Sequence, residues 1–179
     1  ELGLAETQQV LVQNDLRGAV ATNDRVLFRF ELPAGGRALT DEEFGARFDV
    51  LHRRNLDVVL KSFGLDHVDE ATRVQLNFAW HRLDAWPDVT PGLARLRLKY
   101  RLAPCSNGNI SLMADLARRN GWHWDAITGA ELARDYKPKA VVYQCAADAF
   151  DCAPGEAMMV AAHSSDLAAA AAAGLRTAF

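Results

Sequence analysis

Cysteine is scarce in this 179-residue sequence: Cys105, Cys145 and Cys152 are odd in number and show no C-x-x-C spacing. That pattern supports neither a disulfide framework nor a zinc site, so all three are read as packing residues. No Cys–His pair is visible near Cys105, which argues against a thiol nucleophile. Long apolar runs are also missing, none approaching the roughly 18 residues a membrane-spanning helix needs. Glu1 opens a polar stretch without signal-peptide character. These absences predict a cytoplasmic protein with no membrane contact. Nor is there an excess of positive charge: the formal net charge is −3 and the pI is near 6.0. Lys and Arg are scattered among acids, so no basic stripe for nucleic acid can be drawn.

What the chain does have is apolar content, at 50%. That is enough for one good core and a small inserted subdomain, though not for two independent domains. Val10-Leu11-Val12 is a short apolar run ending at Asn14-Asp15-Leu16-Arg17-Gly18, which predicts a strand running into a loop. Thr40-Asp41-Glu42-Glu43 is a capping-box start, and Phe44, Phe48, Leu51, Leu56, Val59, Leu60 and Phe63 follow near helical spacing up to Gly64. A second amphipathic stretch over 69–83 predicts an antiparallel helical hairpin.

From residue 90 the pattern alternates. Thr90-Pro91 predicts a helix with Pro at its first position, 100–104 a strand, and 109–120 a helix closed by Gly121. A brief strand at 126–128, a helix at 138–150, a buried strand at 157–162, a helix at 166–173 closed by Gly174 and a strand at 175–179 complete the series. The alanines at 168–173 suit a helix lying close to a sheet. Such alternation means a parallel sheet with helices on its faces. About 75 residues separate Asp15 from the helix opening at Thr90, far more than a crossover needs. The expected fold is therefore α/β, a Rossmann-like parallel sheet core (1–20 and 89–179) with an inserted α-helical cap (21–88).

Ligands of open parallel sheets bind beyond the carboxyl ends of the strands. The residues there are Asp15, Ser106-Asn107, Lys137 and Asp166. Two carboxylates, a hydroxyl with an amide, and an ammonium suit a carboxylate nucleophile held by a positive neighbour. Each residue also has a plainer reading. Asp15 fits a turn before Gly18, Ser106-Asn107-Gly108 a helix cap, Lys137 a solvated surface lysine, Asp166 an N-cap, and His163 a packing residue rather than a metal ligand.

The motifs around these residues resemble those of the haloacid dehalogenase superfamily, and most closely the type II (S)-2-haloacid dehalogenases. Leu102-Ala103-Pro104-Cys105-Ser106-Asn107-Gly108-Asn109 resembles that family's S-N-G stretch with its apolar lead-in. Tyr136-Lys137-Pro138 with Tyr143 resembles its Y-K-P and downstream tyrosine, and 158–167 its last motif, with Asp166 as the acid. Trp80-His81-Arg82-Leu83 and Trp86-Pro87-Asp88 are similar to its return from cap to core, so the resemblance covers about 49 to 179. The segment at 12–20 resembles the nucleophile strand and its D-x-x-G-T turn, with Asn14 and Ala19 departing from the pattern.

The resemblance implies that Asp15 attacks C2 of a 2-haloalkanoate and that water hydrolyses the resulting aspartyl ester. Lys137 would neutralise and orient Asp15, and Asp166 would hold Lys137 and help position the water. Ser106 would receive the substrate carboxylate, Asn107 would offer its amide to the halide, and Tyr143 would donate a hydrogen bond at or behind the substrate. Arg25, Arg29 and Arg37 are the candidates for a halide-receiving cap arginine. No cofactor and no metal are expected, because Arg17 stands where the superfamily's phosphatases have a second Asp and because 163–166 holds a single acid. The implied partners are a small-molecule substrate and, in a possible homodimer, a second copy. A crippled, non-catalytic relative and a Mg²⁺-dependent phosphatase are the alternatives. The cap also looks shortened, and a chain stopping at Phe179 directly after a strand predicts an open sheet edge.

Overall fold

His52, Leu56 and Leu60 recur every four positions and form the buried stripe of α1 (Phe48–Ser62), as helical periodicity requires. In the computed structural model the residues described are 20–22, 25–27 and 48–179. The predicted strand at 10–12, Asp15, Arg17, the capping box at 40–43, Arg29 and Arg37 lie outside the described residues.

The backbone of β1 (Val20–Thr22) pairs antiparallel with that of β2 (Arg25–Leu27), which carries Arg25, in a stretch for which only helix was expected. α1 closes where the Leu65 N–H bonds the Leu60 carbonyl at 2.8 Å, the six-to-one bond of a Schellman ending. α2 (Glu70–Asn77) is capped by Asp69, whose carboxylate accepts from the Thr72 N–H at 2.9 Å and the Thr72 hydroxyl at 2.8 Å. Asp57 of α1 meets Arg73 of α2 at 2.7 Å, and the predicted helical hairpin is formed. Its second arm tightens into a 3₁₀ turn over Phe78–Arg82.

α3 (Val89–Arg97) begins one residue before Thr90, so Pro91 is its third residue rather than its first. The strand expected at 100–104 is displaced to β3 (Cys105–Ser106). Pro104 has no N–H for the ladder, and its carbonyl accepts from both the N–H of Thr128, at 3.1 Å, and its hydroxyl, at 2.7 Å. β3 pairs in parallel with β4 (Thr128–Gly129), in the register Cys105 with Thr128 and Ser106 with Gly129. α4 (Ile110–Asn120) lies between them in sequence and ends at Gly121 as predicted.

A short α5 (Ala130–Ala133) and α6 (Ala140–Asp148) follow β4. A 3₁₀ turn at Pro154–Glu156 precedes β5 (Met158–Val160), α7 (Ser164–Ala172) and β6 (Arg176–Ala178). β5 and β6 are parallel, Met159 opposite Thr177. Two predictions fail here. β5 is not buried, since Met158 and Val160 are 57% and 64% exposed; one of its faces has no cover among the described residues. Asp166 is not an N-cap, because α7 starts at Ser164 behind His163 and places Asp166 in its first turn.

The core lies where α6, α7 and the parallel strands meet. Tyr143, Ala170, Ala173 and Leu175 are buried together, with Cys105, Ala157, Met159 and Ala169 packed against them. Small side chains at 169, 170 and 173 let α7 approach this cluster closely. Helices packed on short parallel strands make the fold α/β, the Rossmann-like class expected from the alternating pattern.

Candidate active site

Lys137, in the turn between α5 and α6, is only 8% exposed. The surface reading of this lysine is therefore excluded. Its Nζ donates to Oδ2 of Asp166 at 2.6 Å. The other oxygen, Oδ1, accepts the phenolic O–H of Tyr143 at 2.5 Å. A buried ammonium and a buried carboxylate are tolerable only when each has close partners, and here α6 and α7 supply them. Tyr143 is fully buried from water. Its burial, and then its hydrogen bond to Asp166, push the phenol far above its ordinary range, so it stays protonated and donating.

Asn107 follows β3 directly and is also buried. Its Oδ1 accepts the Lys137 N–H at 2.8 Å, and its Nδ2 donates to the Lys137 carbonyl at 3.4 Å. One carboxamide thus holds the Lys137 main chain in both directions. The remaining N–H of Nδ2 takes no part in this clamp and is the hydrogen available for a ligand. Ser106 Oγ accepts the Gly108 N–H at 3.0 Å, leaving its own hydrogen free to donate.

The turn leaves little space for a larger residue. A Cβ on Gly108 would meet Leu112 and Met113 side chains at 3.0 Å. Gly129 is more constrained still, with φ at +128°, where a Cβ would lie 2.0 Å from the Ser106 carbonyl oxygen. Only glycine supports this backbone and this approach between β3 and β4. Sequence reasoning missed Gly129, although a glycine ending a brief strand is the available signal for close backbone approach.

Ser106, Asn107, Lys137, Tyr143 and Asp166 are therefore joined by β3, α6 and α7 into one buried polar cluster. Asp15 lies outside the described residues. Beside the cluster, burial pushes the Cys105 thiol up to about 11, which keeps it protonated and suits the packing role expected for it. No group of His, Cys, Asp and Glu suited to a metal ion occurs among the described residues. A cleft of about 530 Å³ lined by Phe78, His81, Arg82, Asp115, Arg118 and Arg119 lies apart from this cluster. Its lining contains none of the five residues.

An α/β core with a buried Lys–Asp pair, Asp166 in the first turn after β5 and Lys137 in the turn after α5, is the class these features define. The chain belongs to the haloacid dehalogenase-like hydrolase family, whose model matches residues 4–174. Among curated proteins, (S)-2-haloacid dehalogenase 1 of Pseudomonas sp. (strain CBS-3) is 33% identical over 136 residues, covering 74% of this chain and 59% of that protein. Among solved structures, a defluorinating L-2-haloacid dehalogenase superposes with a TM-score of 0.72 at 45% identity, covering 75% of this chain and 56% of its own. The L-2-haloacid dehalogenase from Xanthobacter autotrophicus, with chloropropionic acid covalently bound, gives 0.68 at 26% identity, covering 74% and 54%. The chain thus spans less than two thirds of the length of these relatives.

Proposed function

We propose that this chain hydrolyses short-chain (S)-2-haloalkanoic acids without a metal, through an ester on Asp15. The observation that carries this reading is the buried Lys137–Asp166–Tyr143 group beside Ser106 and Asn107: it supplies a fixed ammonium of the kind a carboxylate nucleophile needs as counter-charge. Asp15 attacks C2 in line, the carbon–halogen bond breaks with inversion, and halide leaves with the bonding pair. Water then adds to the ester carbonyl, releasing the 2-hydroxy acid and restoring the Asp15 carboxylate.

The roles of the other residues follow from their free hydrogens. Lys137 orients Asp15, and Asp166 fixes Lys137 and helps position the water. The free hydrogen of Ser106 and nearby N–H groups receive the substrate carboxylate. The second N–H of Asn107 meets the leaving halide. Tyr143 acts through Asp166, to which its only proton is committed. A partition into a core of 1–20 and 89–179 and a cap of 21–88 completes the reading. β3 and β5 each keep one edge unpaired among the described residues, and Cys105 and Met159 pack on the same cluster.

Metal independence rests on charge. Both oxygens of Asp166 are already taken by Lys137 and Tyr143, and a divalent cation would have to displace the ammonium. The assembly proposed is a homodimer. A cytoplasmic protein that binds no nucleic acid completes the proposal. No helix among the described residues is long and apolar enough to cross a membrane.

Chloride release from (S)-2-chloropropionate in the presence of EDTA tests the reading, with Asp15→Asn and Lys137→Ala beside the unaltered protein. Release that both substitutions abolish is the expected result. Release only of phosphate from an ester, and only with Mg²⁺, would point instead to the phosphatase alternative. A folded protein with neither activity is the crippled relative that Asn14 and Ala19 allow for.

A further inference from the structure

Asn109 stands at the N-cap of α4, the position where an asparagine ordinarily turns its side chain to the helix's own N–H groups. It does not do so: no side-chain cap bond is present, and among the described residues the only first-turn N–H seen to be received by a side chain is that of Ile110, by Glu131 at 2.6 Å. The Asn109 Nδ2 is directed at Oδ2 of Asp49 on α1 (2.9 Å) and at the Ser111 hydroxyl (2.6 Å). Asn109 is 2% exposed, and its Oδ1 is buried without a hydrogen-bond partner. A side chain turned from its usual local bond toward a carboxylate 60 residues away is held by that carboxylate.

Asp49 has no spare oxygen. Its Oδ1 meets His81 Nε2 at 3.0 Å, while Nδ1 of the same ring meets Asp115 of α4 at 2.7 Å. Its backbone carbonyl accepts Asn77 Nδ2 at 3.1 Å. Asp49 therefore joins α1, α2, the 3₁₀ turn and the start of α4. Two residues before Asn109 stands Asn107, whose carboxamide holds Lys137, and the intervening Gly108 packs against Leu112 and Met113 with its N–H bonded to Ser106 Oγ.

We propose that Asp49 is a positioning residue: through Asn109 it sets the Ser106–Asn109 turn and, through Asn107, the main chain of Lys137. Its effect on turnover rests on the dehalogenase reading, whereas its effect on the Lys137 backbone does not.

The test is a polarity swap. Asp49→Asn alone sets two Nδ2 groups against each other or gives up the bond to His81, and Asn109→Asp alone sets two carboxylates face to face. In the double variant the position-49 amide donates to the position-109 carboxylate and its oxygen accepts from His81, while Ser111 donates to position 109. The readouts are the ¹H–¹⁵N resonance of the Lys137 amide, which bonds Asn107, and halide release. Each single variant is expected to move the Lys137 resonance and lower kcat at least tenfold, with KM within about threefold, and the double variant to restore both. If the Lys137 resonance stays in place in folded single variants, or the double variant is no better than the singles, the proposal is overturned. If the resonance moves and returns but the unaltered protein releases no halide, the positioning role stands and the dehalogenase reading falls.

Discussion

Lys137 and Asp166 illustrate how a single buried pair constrains its neighbours. Removing one member leaves the other charged and desolvated, at a cost of about 3–5 kcal/mol. Lys137→Met is therefore expected to lower the urea midpoint markedly. Lys137→Met combined with Asp166→Asn should recover much of that loss, since a carboxamide oxygen still accepts from Tyr143 and no charge is left buried. Additive losses in urea melts would contradict this coupling. Gly129 is a separate case: Gly129→Ala would drive a Cβ into the Ser106 backbone and should destabilise by about 3 kcal/mol or more. A thermal melt within a degree or two of the unaltered protein would show that β3 and β4 can separate. Lys137 and Asp166 were legible as candidates because a motif surrounds them. Lys137's burial was not legible, because burial depends on where α6 and α7 pack, and Gly129 carried only the weak signal of a lone glycine.

At the scale of elements, helices were read best. The helical spacing of α1 and the end of α4 at Gly121 follow from local periodicity and capping chemistry, which the chain carries in sequence order. Strands were read less well, because a strand begins where a partner's hydrogen bonds begin. Pro104 has no N–H for β3's ladder, and β5 is exposed on one side for want of a covering neighbour among the described residues. α1 also carries a pH-dependent stability. His52, stacked on Trp80 with ring centroids 4.6 Å apart, has its pKa lowered to about 4, chiefly by burial. The unfolded chain then binds the proton more readily than the folded one. Stability present above pH 6.5 falls as the pH drops toward 4, by on the order of 3 kcal/mol. Urea melts between pH 7.5 and 4.5 should show this loss, and His52→Leu should flatten it. An unchanged slope in the variant would assign the acid sensitivity elsewhere.

For the molecule as a whole, the α/β class and the family were legible because turn chemistry, alternating apolar runs and three strand-end motifs agree with one another. The joining of the 48–82 helices to the Ser106–Asn109 turn was not legible. Asp49 and Asp115 each look like an ordinary polar residue of an amphipathic stretch, His81 stands out only within the Trp80–Leu83 motif, and only the folded chain brings the three together. The central claim, an ester on Asp15, concerns the whole molecule, since it needs the N-terminal segment, the Lys137 cluster and the substrate in one place. A single turnover in H₂¹⁸O, with enzyme in excess over (S)-2-chloropropionate and mass analysis of the Asp15 peptide and the lactate, tests it most directly. Attack of water on the ester carbonyl predicts ¹⁸O in the Asp15 carboxylate and an unlabelled lactate hydroxyl. Label in the lactate hydroxyl, with an unlabelled peptide, would mean that water attacks C2 directly and that Asp15 is not the nucleophile.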